Sequence, residues 1–215
     1  MNAMLNVKKI LHHLWCGYSF SYIYQGVDLM DLAWGSNEAK KFVTNIGLIT
    51  SNGPHGQNVM AAEWTHHISY SPGLIAINIH SYDATYDNIM KNKEFGVNLA
   101  SIDQNIMSSV SGSSSGKKVD KIKILQDLGI EFYKAKKIDT LMVKGAALNA
   151  ECKVIKIIEL GDHTMFVGEV VEVFASDKEP LVFSKGSYWH LGEQIKKPPQ
   201  EIIDKINRLV EKHKK

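Results

Sequence analysis

Polar side chains able to bind or to react gather in three stretches of this 215-residue chain. In the first, Asn58, Glu63, Trp64, Thr65, His66 and His67 crowd one segment between neighbours that are almost purely aliphatic. A strand that polar borders a ligand or an interface. The second runs from Ile79 through His80 and Ser81 to Thr85, where a helix opens. The first turn of a helix leaves backbone N–H groups unpaired and carries the positive end of the dipole, so Thr85 reads either as an exposed helix residue or as a partner for an anion. The third is Ser111–Lys118, SGSSSGKK. Its Ser113, Ser114, Ser115, Lys117 and Lys118 can wrap a small phosphate through hydroxyl and ammonium groups, and they serve equally well as a solvated linker.

Several chemistries are excluded by type or spacing. SGSSSGKK is no P-loop: Gly112 and Gly116 enclose three residues instead of four, and Lys118 stands where a magnesium-binding hydroxyl is needed. His12-His13 and His66-His67 are adjacent pairs, and adjacent strand residues point to opposite faces, so neither pair easily shares an ion. With HExxH absent, no metal is expected. There is no GxSxG elbow, no other local nucleophile signature and no GxGxxG. Cys16 and Cys152 form no CxxC and read as free thiols in a reducing compartment, which predicts a cytoplasmic protein. A net charge of +2, with Arg208 the sole arginine, argues against nucleic acid. No apolar run reaches the roughly 18 residues of a membrane span.

The positioning elements follow from punctuation and period. Residues 45–79 read as three strands divided by Asn52-Gly53-Pro54 and Ser71-Pro72-Gly73, with the polar segment as the middle strand. Residues 81–94 read as a helix capped by Asp83, with Ile89 and Met90 inward, and 95–99 as a strand. Short helices are expected at 103–110 and at 119–128, the latter with Ile122, Ile124, Leu125 and Leu128 apolar and Gly129 at C′. Residues 146–160 and 164–174 form a long hairpin about Gly161-Asp162, with Val167, Val171 and Val173 against one wet face. A last strand covers 186–191. Pro199 opens a terminal helix with Ile202, Ile203, Ile206, Leu209 and Val210 at helical spacing. Ser36 is a candidate N-cap near the start of the domain. Residues 1–29 read equally as an extension or as the product of an upstream start codon, 30–193 as one domain, and 194–215 as a helical tail. The order is β-rich α+β, an antiparallel barrel with inserted helices and a C-terminal helix.

GLITS, the segment NVMAAEWTHHISYSPGLIAINI with its Ser-x-x-Pro step, the helix start HSYDAT and the strand FGVNLA stand in an order and spacing that resemble the flavin reductase-like, FMN-binding split-barrel proteins. The resemblance runs from about Met30 to Glu193. It implies a Greek-key split barrel that binds FMN, with Asn58, Met60, Ala61, Ala62, Glu63, Trp64 and Thr65 along the flavin ring. It further implies a phosphate grip at His80, Ser81 and Thr85, with Asn98 nearby and the Ser114–Lys118 loop closing over the phosphate. Related reductases often carry an arginine in the segment matching Ser81–Ala84, and this chain has none. Lys118 is the expected substitute. Tyr188 and His190 match positions on the open, substrate-side face.

The activity so implied is an NAD(P)H:flavin oxidoreductase, with NADH or NADPH as donor, a flavin or redox protein as acceptor, and a homodimer as the assembly. The cofactor carries the chemistry, so no catalytic side chain is required. Two alternatives remain open: a flavoredoxin-type electron carrier that does not use NAD(P)H, and a non-catalytic split barrel that binds flavin or haem.

Overall fold

The structure is a computed structural model and describes residues 31–33 and 35–214. The segment 1–29, with Cys16 and the His12-His13 pair, lies outside the described residues. Three short strands, β1 (Val43–Asn45), β11 (Val182–Ser184) and β12 (Ser187–Trp189), make a small antiparallel sheet in the order β1-β11-β12. β7 (Phe132–Lys134) pairs with β8 (Leu141–Val143). The main sheet holds the rest: β2 (Gly47–Ser51), β3 (Asn58–Ala62), β4 (Thr65–Ser69), β5 (Leu74–His80), β6 (Glu94–Leu99), β9 (Leu148–Leu160) and β10 (His163–Ala175).

Its order is β3-β2-β6-β9-β10-β5-β4, antiparallel at every pairing. The two edge strands are consecutive in the chain, joined only by Glu63 and Trp64. The sheet therefore curls until its ends meet, and the Asn78 amide carries the β4–β5 ladder into the bend by donating to the Trp64 carbonyl at 3.1 Å. This is the split barrel. The polar segment expected as one middle strand is thus two, because its first half pairs with β2 and its second with β5. Thr65 staples the bend, its Oγ1 donating to the Ala62 carbonyl at 3.1 Å.

β2 is buried along its whole length because alternate residues enter different cores: Leu48 packs with Val59, Met107, Leu125 and Val143, and Ile49 with Ile77, Ile79, Phe95 and Phe166. A strand buried on both faces reads as an apolar run instead of an alternation. The β9–β10 hairpin departs from the expected alternation through register slips at Val167/Gly168 and Val170/Glu172. At the end of β10 both Val173 and Phe174 are exposed, so neither face of the hairpin is buried there.

Among the described residues four α-helices decorate the strands: α1 (Ala84–Asn92), α2 (Asn105–Ser113), α3 (Lys121–Asp127) and α4 (Gln200–Lys212). In α1 Ile89 is buried as expected, but Met90 faces solvent and Asp83 caps without a side-chain hydrogen bond. α2 continues to Ser113, so the front of SGSSSGKK is helical and not loop. α3 is shorter than expected and buries Ile122 and Leu125, leaving Ile124 and Leu128 exposed before Gly129, whose φ of +84° ends the turn. The Ser36 hydroxyl accepts from the Ala39 amide at 3.0 Å, over a 3-10 turn at Ala39–Lys41. In α4 the apolar stripe forms but stays exposed at Ile202, Ile206, Leu209 and Val210. Among the described residues no helix is long and apolar enough to cross a membrane.

Candidate functional site

A cleft of about 60 Å³ lies where β3, the first turn of α1, the end of α2 with the loop after it, and the start of α3 converge. β3 supplies Asn58, Met60 and Ala61. Asn58 is buried, and its Nδ2 donates to the Thr85 Oγ1 at 2.8 Å, tying strand to helix. The following loop is seated tightly on this pair. A Cβ at Gly116 would stand 2.3 Å from the Asn58 Oδ1 and 3.1 Å from the Ala84 Cβ, so only glycine fits. Lys117 latches the same loop to α1, its Nζ 2.8 Å from the Asp87 Oδ2, which also meets the His55 Nε2 at 2.8 Å. Burial pushes the Asp87 carboxyl up, but the hydrogen bonds from Lys117 and His55 outweigh it and hold the group below the ordinary carboxylate range.

The cleft's cation is Lys121, the first residue of α3, with only 4% of its surface exposed. Its Nζ donates to the Ser111 carbonyl at 3.2 Å. Burial disfavours the charged amine and pulls its pKa from 10.5 down to about 8, with Asp83 opposing the shift. Asp83 is itself pushed up by burial, against the pull of His80, Lys121, Lys117 and His163. Ser111, 1% exposed, lines the same cleft, and its Oγ has no hydrogen-bond partner. A buried hydroxyl without a partner is costly and uncommon in a finished core. Beside it, the amides opening α1 receive no side-chain cap from Asp83.

Of the residues singled out in the sequence, Asn58, Met60, Ala61, Thr85, Ser114 and Ser115 come together at this cleft. The others are elsewhere. Ala62 packs into the core, and Thr65 turns inward to the Ala62 carbonyl. Glu63 is half-buried at the strand crossing, and Trp64 lies against the His163 ring. His80 turns toward the β9–β10 turn, its Nδ1 2.8 Å from the Asp162 carbonyl, and Ser81 is exposed. Asn98 is fully engaged: Nδ2 donates to the Leu48 carbonyl, and Oδ1 accepts from the Val143 amide and the Asn149 Nδ2. Lys118 lines an adjoining open groove with His55, Asp120 and Gln126. The Tyr188 hydroxyl bonds Ser109 and Ser108 on α2, and His190 is exposed away from the cleft.

Three residues of this cleft, Ser111, Asp83 and Lys121, were not among the binding candidates read from the sequence. One signal was available. Lys121 stands four residues before the buried Leu125, on the inward stripe of α3, where a lysine is out of place unless something needs it.

The family model for the flavin reductase like domain matches residues 39–192, which include every element of this cleft. The chain belongs to the flavin reductase like family. An uncharacterized protein of Archaeoglobus fulgidus is 34% identical over 128 residues, 59% of this chain and 70% of that protein. The FMN reductase (NADH) of Agrobacterium fabrum is 23% identical over 159 residues, covering 74% of this chain and 85% of its own. Among solved structures, flavoredoxin from Methanosarcina acetivorans superposes with a TM-score of 0.67 at 21% identity, over 80% of this chain and 95% of that one. The flavin reductase like domain ends before Pro199, so α4 lies beyond the part its family shares.

Proposed function

We infer that the protein is a flavin reductase that holds FMN by its phosphate in this cleft and takes NADH or NADPH as electron donor. The observation that carries the reading is the Ser111 hydroxyl, buried without a partner beside the buried Lys121 amine and the uncapped first turn of α1. An oxyanion completes all three at once. Ionised phosphate oxygens accept from a hydroxyl, an ammonium and helix N-terminal amides together. A cleft of about 60 Å³ is of the size of a phosphate group and smaller than a three-ring system, which supports a reading with the phosphate inside it and the ring outside along β3.

FMN, when bound, supplies the redox chemistry by accepting a hydride equivalent from the nicotinamide. The chain's own residues bind and orient. Lys121 takes the place of the arginine missing between Ser81 and Ala84. The Asn58–Thr85 hydrogen bond fixes the floor. Ala61, small and half-buried, leaves the β3 backbone open to close approach. The loop latched through Lys117 covers the phosphate and keeps water from it. The polar bend at Glu63–Trp64 suits a second copy of the chain, and the free, buried Cys152, its thiol pushed up to about 12 by burial and by Glu151, suits the cytoplasm.

The test compares FMN with riboflavin, which lacks only the phosphate, by flavin fluorescence on the full chain, followed by anaerobic addition of NADH. FMN is expected to bind at least about tenfold more tightly, the effect of ~1.4 kcal/mol, and NADH is expected to bleach the bound flavin. Equal affinities remove the phosphate from the cleft. Bleaching by dithionite but not by either nicotinamide makes the protein an electron carrier, and no flavin uptake ends the reading.

A further inference from the structure

Outside the cleft, at the far end of β5, the rings of Trp64, His163, His80 and Tyr82 stack in a row, with centroid separations of 4.4, 3.7 and 4.6 Å. His80 and His163 are directly opposed across the β5–β10 register, and Asp162 sits in the turn immediately before His163. We propose that His80, His163 and Asp162 form a binding site for a divalent transition-metal ion of the zinc class.

The geometry is near that of a ligand set. One ligating atom from each residue lies within 4.8 Å of the others, and tetrahedral zinc with bonds of ~2.1 Å needs donors about 3.4 Å apart. A small tilt of the rings closes the difference. Asp162 also prepares both imidazoles. Its carbonyl takes the His80 Nδ1 at 2.8 Å, and its Oδ1 meets the His163 Nδ1 at 2.7 Å. The His80 Nδ1, held by the carbonyl, leaves its Nε2 for an ion, and the Asp162 carboxylate would exchange its present contact with the His163 Nδ1 for that ion. Metal-binding histidines commonly tie their second nitrogen to a carbonyl or carboxylate, which fixes the tautomer and the ring orientation. Trp64 and Tyr82 cover the outer faces of the two rings and limit their rotation.

Two imidazoles and one carboxylate favour zinc, nickel or cobalt over calcium or magnesium, which prefer oxygen alone. The site is reachable, since the Asp162 side chain is 80% exposed, so water can complete the coordination. Adjacent-pair reasoning in the sequence overlooked it because its histidines come from strands separated by most of the domain. None of these three side chains lines the cleft, so the proposal stands apart from the flavin reading.

The experiment is calorimetric titration of ZnCl2 into the chelator-treated full chain near neutral pH, in a buffer that does not bind metal. The other adjacent pairs are controlled by the His12→Ala/His13→Ala and His66→Ala/His67→Ala variants. One equivalent is expected to bind, with affinity at least tenfold weaker in His163→Ala and in His80→Ala and unchanged in both controls. Asp162→Asn, at an exposed position, keeps the fold and is expected to weaken binding severalfold. Cobalt added to the wild type gives visible d–d bands that report nitrogen and oxygen donors, and these should vanish in His163→Ala. No stoichiometric binding overturns the proposal, as does binding lost only when His12 and His13 or His66 and His67 are removed.

Discussion

Two buried polar clusters lie on opposite sides of β2, and they differ in how completely the protein satisfies them. Around Asn98, every strong donor and acceptor of the side chain meets another group: the Leu48 carbonyl, the Thr50 hydroxyl at 3.3 Å, the Val143 amide and the Asn149 amide. Asn149 in turn donates to the Val143 carbonyl at 2.9 Å, so the cluster closes on itself. Around Lys121 the chain stops short. Its amine has one carbonyl, the neighbouring Ser111 hydroxyl has none, and the first turn of α1 has no side-chain cap. Equal burial with unequal satisfaction separates a group that holds the fold together from one that awaits a partner. Both an asparagine in a strand and a lysine on a helix are polar letters in the sequence, and only the partners tell them apart.

The largest effect expected from this contrast is on stability at Asn98. Asn98→Ala strands the Val143 amide and the Leu48 carbonyl in the interior, and a loss of about 3 kcal/mol is expected in urea unfolding. Flavin affinity, measured where the variant is still folded, should stay close to wild type. A drop in FMN affinity without a drop in stability would return Asn98 to the binding site and dissolve the contrast.

Lys121→Met should act in the opposite sense. Removing a buried cation that has few partners leaves the unfolding free energy unchanged or raises it by about 1 kcal/mol. FMN affinity should fall by roughly 10- to 100-fold with riboflavin little altered, since a charge-assisted hydrogen bond to phosphate is the contact removed. A lysine whose loss weakens both flavins alike would be a packing element. Ser111→Ala is the milder version: no protein hydrogen bond is broken, so stability should move by less than about 0.5 kcal/mol, while FMN weakens by ~3- to 10-fold. Loss of stability there would mean that the hydroxyl has a partner in the resting protein.

The sequence made the architecture readable where elements are long and strongly patterned. β5, β6, the β9–β10 hairpin and α4 fall where period and punctuation put them. The three-residue strands β1, β7, β8 and β11 are too short to display a period, and the bend at Glu63–Trp64 is set by two distant pairing partners that no local pattern encodes. Of the site expectations, those on β3 and on the first turn of α1 converge on one cleft at Asn58, Met60, Ala61 and Thr85, because strand and helix start are local features. Asn98 was expected near the phosphate from the family resemblance, which matches a position in the chain but does not reveal the partners that engage its side chain. Lys118 stands in the loop that the resemblance puts over the phosphate, whereas Lys121 is turned into the cleft by a helix that begins only after that loop.

The smallest expected effect is also the most specific to the unsatisfied cluster, because it depends on the charge of one amine. Lys121 titrates near 8 in the folded chain, down from 10.5. Between those values the unfolded chain still carries the proton that the folded chain has released, so stability should rise with pH across this window, and the cost of burying the ammonium is in full force below it. Phosphate needs the ammonium. FMN affinity should therefore hold from neutral pH to about 8 and decline above it, while riboflavin affinity stays flat. A bound phosphate favours the protonated amine and moves the decline to higher pH, so binding above 8 should take up a fraction of a proton, detectable as a buffer-dependent heat. Asp83 also faces this cleft, but its titration is shared by the Lys121→Met variant, in which the pH dependence of FMN binding should flatten. An undiminished decline in that variant would move the titrating group away from Lys121, and a buried amine with a single carbonyl partner would no longer mark the place where the phosphate binds.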